Sequence, residues 1–229
     1  MQHYTVVVPA AGVGKRMQAD RPKQYLHIAG KTLLEHSLER LIQHPQIDKI
    51  IVALDKHDPY FEDLPIAQSD WLIRVEGGKE RADSVLAGLK AMNTAEWVLV
   101  HDAARPCLSR NDLNKLLALS QGGIGGLLAT PVRDTMKRAN SDSKVLKTES
   151  RVNLWHALTP QFFPYQQLLD ALQQGLDSGL EITDEASAIE AFGGEVILVE
   201  GSATNIKVTH PDDLQLAEFY LSHLQRIYQ

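Results

Sequence analysis

The sequence predicts an α/β fold, a mainly parallel sheet covered by helices on both faces. Three observations predict it. Short apolar runs rich in β-branched residues recur along the chain, as strands buried on both faces do. Stretches with helical periodicity separate them, the order expected of strand–helix–strand units. A glycine-rich loop directly follows the first run, where sheets of this kind bind ligands. The 229 residues suffice for a large buried core, and no Pro/Ser-rich linker or internal repeat divides them, so one domain over 1–229 is expected.

The elements follow in order. YTVVVP (4–9) reads as the first strand. LLEHSLERLIQH (33–44) is an amphipathic helix with Leu33, Leu34, Leu38, Leu41 and Ile42 on one side. KIIVAL (49–54) and WLIRVE (71–76) are the second and third strands, and ERADSVLAGLKAMN (80–93) is a helix. WVLVHD (97–102) is the fourth strand. SRNDLNKLLALSQ (109–121) starts with Ser109 as cap and Asp112 three residues on. GGLLATPV (125–132) is another strand. PYQQLLDALQQGL (164–176) and ITDEASAIEAF (182–192) are helices, EVILVE (195–200) a strand, and 211–228 the closing helix with Pro211 in its first turn. The polar segment 133–153 breaks this rhythm. It reads either as a solvated surface loop or as an extended arm that reaches a second subunit.

Composition excludes several functions. A net charge of −6 argues against a general nucleic-acid coat, so an anionic ligand needs a local cluster of cations. No apolar run approaches the roughly 20 residues that cross a bilayer, and no charged-then-apolar leader precedes the first strand, which predicts a cytoplasmic protein. A single cysteine, Cys107, excludes an internal disulfide and a multi-cysteine metal site; it reads as a small buried hydrophobe.

The loop PAAGVGKRMQADRPKQY (9–25) fits neither common phosphate-loop pattern. A Walker loop would need glycine where Pro9 stands and Ser or Thr where Arg16 stands. A dinucleotide fingerprint would need a third glycine where Met17 stands. The physical features remain suited to phosphate. Ala10, Ala11, Gly12 and Gly14 keep bulk away so that backbone N–H groups can face an anion. Arg16 offers a planar fork, and Lys23, stiffened by Pro22, a compact charge. A tight turn before a basic helix is the alternative.

Other candidates fall at strand ends. Asp102 is the candidate magnesium ligand, or else caps the turn before Pro106. Arg105 suits a phosphate or a surface ion pair. Gly77 and Gly78 would let main-chain groups read a base edge beside the Ser84 hydroxyl, or form a plain strand-to-helix turn. Lys207 follows the last strand and so belongs at the same rim.

PAAGVGKRM with PKQY resembles the signature loop of nucleotidyltransferases. Together with GGKERADSVLAGL (77–89), HDAARP (101–106), PVRDTMKR (131–138), LWHALTPQ (154–161), ITDEASA (182–188) and NIKVT (205–209), it resembles the 2-C-methyl-D-erythritol 4-phosphate cytidylyltransferase family of the non-mevalonate isoprenoid route. The resemblance runs from about Val6 to about Tyr220. It implies a single Rossmann-like nucleotidyltransferase domain whose arm makes a homodimer, with CTP and methylerythritol phosphate as substrates and Mg2+ as cofactor. It implies that Arg16 and Lys23 stabilise the transition state. CTP would lie against Pro9, Ala10, Ala11, Gly12, Gly14, Gly77, Gly78 and Ser84, and metal on Asp102. Lys207 and the partner subunit's Arg151 would hold the acceptor phosphate, with Arg105, Thr135, Thr159 and Thr183 as further substrate contacts. The phosphate nucleophile, with a second pKa near 6, needs no general base, and no Ser-His-Asp or Cys-His set can be assembled around the loop. The alternatives are a polyol-phosphate cytidylyltransferase acting on ribitol 5-phosphate, a sugar-1-phosphate nucleotidyltransferase, and a non-catalytic nucleotide-binding regulator.

Overall fold

Tyr4–Pro9 forms β1, and its alternation divides the core. Val6 and Val8 point into one hydrophobic cluster and Val7 into another, as a period of two requires. The structure, a computed structural model, describes residues 2–12, 20–92 and 95–227. After β1 come a small hairpin of β2 (His27–Ile28) and β3 (Lys31–Thr32), then α1 (Leu33–Ile42), β4 (Ile47–Leu54), β5 (Leu72–Glu76), α2 (Arg81–Lys90) and β6 (Trp97–Val100). Next are α3 (Arg110–Leu117), β7 (Gly126–Pro131), a second hairpin of β8 (Met136–Ala139) and β9 (Val145–Glu149), and the long β10 (Trp155–Pro164). α4 (Tyr165–Asp177), α5 (Glu185–Ala191), β11 (Ile197–Glu200) and α6 (Asp212–Ile227) follow.

Seven strands make one sheet in the order β11-β7-β10-β6-β1-β4-β5. Neighbours pair in parallel except at β10, which is antiparallel to both β6 and β7. α1 and α3 contribute Leu38 and Leu113 to the cluster on one face, and α2, α4 and α5 contribute Leu89, Leu168 and Ile189 to the other. The mainly parallel sheet with helices on both faces is therefore as expected. A third cluster sets Ala217 and Leu221 of α6 against Leu33, Cys107 and Val208, which clamps the segment after β11 onto the body. Cys107 is fully buried there, its thiol pushed up to about 12 by burial, and is the small hydrophobe the sequence suggested.

Helix starts follow local chemistry. Thr32 caps α1 in a capping box: the Glu35 N–H donates to Thr32 Oγ1 at 3.1 Å and the Thr32 N–H to Glu35 Oε2 at 2.8 Å. Ser109 caps α3 as expected, accepting from the Asp112 N–H at 3.1 Å; the helix ends at Leu117, and residues Ala118–Gln121 tighten into a 3-10 turn. No helix among the described residues is long and apolar enough to cross a membrane.

Two departures from the sequence reading matter for the site. No element was expected at 154–163, where the long antiparallel β10 lies. Pro160 interrupts the apolar pattern, and a proline inside a run counts against a strand. The Thr159–Pro160 bond is cis, and the ladder to β7 shifts register between Ala157 and Gln161. Segment 133–153 is an antiparallel hairpin, β8 with β9, rather than an irregular loop. Almost all its residues are exposed. Because β10 runs backwards, Trp155 pairs with Pro131, so the arm leaves and rejoins the sheet at one rim. That rim also carries the C-terminal ends of the parallel strands.

Phe162, beyond the break in β10, is fully buried with ring centroids 5.0 Å from Tyr4 and 4.8 Å from Trp97. Phe162→Ala should cost about 3–5 kcal/mol, read as a lowered urea midpoint with an unchanged m-value. A loss under about 1 kcal/mol would contradict a central, well-packed β10.

Candidate active site

The rim is built from four chain segments drawn together by hydrogen bonds and close packing. β1 ends at Pro9, and the Ala10 N–H donates to the Ala53 carbonyl at 2.8 Å, extending the ladder into the loop. The Ala10 carbonyl accepts from the buried Gln24 side chain at 2.6 Å, which ties the turn carrying Lys23 to the loop. Lys23 Nζ donates to the Val208 carbonyl at 3.0 Å, linking that turn to the segment after β11. Gly77 crosses close beneath: a Cβ there would lie 2.8 Å from Ala11 Cβ and 2.9 Å from Ser84 Oγ. Only glycine allows the two loops this approach. Ser84 Oγ accepts from the Gly78 N–H at 3.1 Å and holds the second loop's shape.

Two cavities open between these segments. The first, about 240 Å³, is lined by Pro9, Ala10, Ala11, Gly12 and Lys23 together with Gly78, Ser84, Asp102 and Lys207. The second, about 270 Å³, is lined by Arg105, Thr159, Thr183 and their neighbours. Arg81, Asp102 and Lys207 line both. Gly77 lies just beneath the first. Gly14 and Arg16 lie outside the described residues. Thr135 and Arg151 stand on the exposed arm and line neither cavity of this chain; Arg151 Nη1 donates to the Arg133 carbonyl at 2.7 Å.

Asp102 sits at the junction, buried and ringed by cations. Arg81 Nε donates to its Oδ1 at 3.0 Å, Lys207 Nζ lies 2.8 Å from Oδ2, and Arg105 Nε lies 3.6 Å from Oδ2, close enough for charge attraction but too far for a hydrogen bond. Burial alone would raise this carboxyl. The charges of Arg81, Lys207 and Arg105 outweigh burial and hold it well below the usual carboxylate range. Burial also works against the Arg81 charge, but Glu185 and then Asp102 raise its pKa, so it stays a cation. Asp102 also opens the turn before Pro106, its carbonyl accepting from the Arg105 N–H at 3.1 Å, whereas the surface-pair alternative for Arg105 does not describe a buried guanidinium.

Beneath Asp102 four buried residues close a ring of hydrogen bonds. The Asp102 N–H donates to Thr159 Oγ1 at 3.0 Å, and that hydroxyl meets His101 Nδ1 at 3.1 Å. His101 Nε2 donates to the Arg105 carbonyl at 3.1 Å, Arg105 Nη1 to the Asn205 carbonyl at 2.7 Å, and Asn205 Nδ2 to the Thr159 carbonyl at 2.8 Å. A carbonyl only accepts, so Nε2 carries the proton and Nδ1 accepts from the threonine hydroxyl. Neither nitrogen is left to act as a base.

Sequence reasoning missed Arg81, Glu185, Gln24 and Asn205. One local signal existed for Arg81: it stands at the first position of α2, where a cation opposes the helix dipole. Glu185 and Asn205 carried no such signal, since their partners lie on β10, α2 and the loop after β6. Among the described residues, no three His, Cys, Asp or Glu side chains gather as a metal site. Asp102 is the one acidic residue, among those described, that lines both cavities, and magnesium is commonly bound by one or two carboxylates together with substrate phosphates and water.

Burial pushes His101 down from 6.5 to about 4, against the opposing pull of the Arg105 carbonyl. The unfolded chain therefore binds more protons between those values. His101 contributes stability that is complete above about 6.5 and is lost as pH falls toward about 4, at most about 3 kcal/mol. Urea denaturation followed from neutral pH down through this window should show the decline. His101→Gln should have a flatter profile there; an equal slope in both proteins would contradict a buried neutral imidazole.

Comparison with known proteins identifies the family. The family described as IspD, 2-C-methyl-D-erythritol 4-phosphate cytidylyltransferase, matches residues 4–223. The 2-C-methyl-D-erythritol 4-phosphate cytidylyltransferase of Pseudoalteromonas atlantica is 66% identical over 221 residues, covering 96% of both chains. That of Vibrio parahaemolyticus serotype O3:K6 is 58% identical, covering 96% of this chain and 95% of the relative. The crystal structure of the Francisella tularensis enzyme of that name superposes with a TM-score of 0.85 at 36% identity, covering 96% of this chain and all of the other. The chain belongs to the 2-C-methyl-D-erythritol 4-phosphate cytidylyltransferase family.

Proposed function

We propose that this protein transfers a cytidylyl group from CTP to 2-C-methyl-D-erythritol 4-phosphate. The products are 4-diphosphocytidyl-2-C-methyl-D-erythritol and pyrophosphate, in the synthesis of isoprenoid precursors. Family membership supports the activity. The observation that carries the assignment of residues is the pair of cavities joined by Arg81, Asp102 and Lys207. CTP occupies the first cavity, between the glycine-rich loop and the Gly77–Gly78 loop, and the acceptor occupies the second.

The chemistry is a meeting of two anions. An acceptor phosphate oxygen attacks the α-phosphorus of CTP, a new P–O bond forms, and the bond to the β-phosphate breaks with its electron pair leaving on pyrophosphate. The acceptor is substantially dianionic at neutral pH, so no proton has to be removed first. His101, neutral and hydrogen-bonded at both nitrogens, is consistent with that. What the protein supplies is positive charge at fixed places. Lys23 and Arg16 meet charge building on the α-phosphate and the leaving group. Lys207, held beside Asp102 but 37% exposed, orients the acceptor phosphate. Asp102 would hold magnesium together with phosphate oxygens, and the ion would supply further positive charge to the triphosphate.

The arm completes the acceptor site in a homodimer. Val145, Leu146 and Val152 are 61%, 63% and 75% exposed, a large apolar content for a free hairpin, and their burial against a second copy would favour association. In that dimer Arg151 of the partner subunit faces the acceptor phosphate beside Lys207, and Thr135 of the partner subunit is a further contact.

Pyrophosphate release should require magnesium and be fastest with CTP among the four triphosphates. Methylerythritol phosphate should serve as acceptor and ribitol 5-phosphate should not. Lys23→Ala and Arg16→Ala should each lower kcat at saturating CTP by about 10²-fold or more; near-normal turnover in either removes that residue from the mechanism. Sharing across the dimer has its own test. Arg151→Ala and Lys207→Ala proteins, inactive apart, should regain about a quarter of wild-type activity after subunit exchange, since each mixed dimer has one intact site. No recovery after demonstrated exchange would place Arg151 in its own chain's site.

A further inference from the structure

Arg81 opens α2, where unpaired backbone N–H groups already make the helix end positive, so the helix gains nothing from a cation there. Its guanidinium reaches instead to two carboxylates. Nη1 and Nη2 donate to Glu185 Oε1 and Oε2 at 2.6 and 3.1 Å, and Nε donates to Asp102 Oδ1 at 3.0 Å. The Glu185 side chain is 1% exposed, against 29% for Arg81. Glu185 is itself held in place, since the neighbouring Ala186 N–H donates to Gln161 Oε1 at 2.8 Å and Gln161 Nε2 donates to Asp184 Oδ2 at 2.9 Å. The start of α5 is thus fastened to β10, and Glu185 forms a fixed socket for one edge of the arginine.

The three cations around Asp102 divide its two oxygens. Arg81 holds Oδ1, while Lys207 and Arg105 lie on the Oδ2 side. Arg105 is secured by the Asn205 carbonyl. Lys207 faces both cavities, and a phosphate arriving there competes with Asp102 for its ammonium. As Lys207 turns to that phosphate, Oδ2 loses its shortest contact, and a buried carboxylate without a fixed counter-ion would rotate or take a proton.

We propose that Arg81, anchored by Glu185, is a positioning residue that holds Asp102 by Oδ1 and keeps Oδ2 turned toward Lys207 and the ligands at the junction of the two cavities. The inference rests on the cytidylyl-transfer reading for its kinetic consequence. It depends on a planar fork, because a single ammonium cannot span two carboxylates in these directions.

Arg81→Lys keeps the charge and removes the fork; Glu185→Gln keeps the volume and weakens the socket. In each, kcat per CTP-binding site counted by calorimetry should fall about 10²-fold, the scale of a displaced catalytic group, with KM for CTP within about threefold of wild type. The crystal structure of Arg81→Lys should show the Asp102 carboxylate turned from its present orientation. The double variant should lose little beyond Arg81→Lys, because Glu185 acts through Arg81. An Asp102 left in place, or a kcat within about twofold of wild type, overturns the inference; a merely structural role would lower the count of binding sites and spare turnover at each. Should Arg81→Lys fail to fold, the same measurements on Glu185→Gln decide. If the wild-type protein releases no pyrophosphate, the functional reading fails, and the Asp102 orientation still decides this inference.

Discussion

A carboxylate removed from water and ringed by cations governs how this rim is assembled. An isolated ionised group so buried would cost several kcal/mol, and Asp102 is tolerated because Arg81, Lys207 and Arg105 converge on it. Those residues come from the start of α2, the segment after β11 and the turn after β6. Satisfying one charge therefore draws three distant pieces of chain to a common point. The cations are then already in place when further anions arrive. This is how a chain with a net charge of −6 offers a locally positive site.

The layer beneath carries one charge, the Arg105 guanidinium, among neutral partners. Thr159, His101, Arg105 and Asn205 are joined in a closed circuit of hydrogen bonds that leaves Arg105 Nε and Asn205 Oδ1 without a hydrogen-bond partner, and burial keeps the imidazole neutral. A charged histidine there would add repulsion toward Arg105 and compete for Asp102. Position rather than proton exchange is what the circuit provides, since it fastens the turn after β6 to β10 and to the loop bearing Lys207. That division suits a reaction whose nucleophile arrives already deprotonated.

Much of this was legible in the sequence where the signal is local. The apolar runs of β1, β4 and β6 have few alternatives to buried parallel strands, and Ser109 announces α3 through its own side chain. The loop at 10–12, the glycines at 77–78, Lys23, Asp102 and Lys207 could be placed at one rim because every parallel strand delivers its C-terminal end there. What escaped was set by partners far away in the chain. β10 is antiparallel with a proline inside it, and only the hydrogen bonds of β6 and β7 make a strand of that segment. The turn joining β2 and β3 puts Ala29 at φ 47° beside Gly30 at φ 83°, a hairpin geometry that alanine rarely signals. Arg81 and Glu185 were invisible as a pair because 104 positions separate them.

The reversed direction of β10 has a consequence for how such a molecule can change. Since Pro131 and Trp155 are paired neighbours, the excursion between them starts and finishes at adjacent points on the sheet. Its length and surface chemistry can vary over generations without disturbing the strands that frame the pockets. Yet it springs from the same edge as those pockets, so whatever the hairpin grips is brought beside the reacting groups. Freedom to diverge and proximity to chemistry thus come from a single inverted strand.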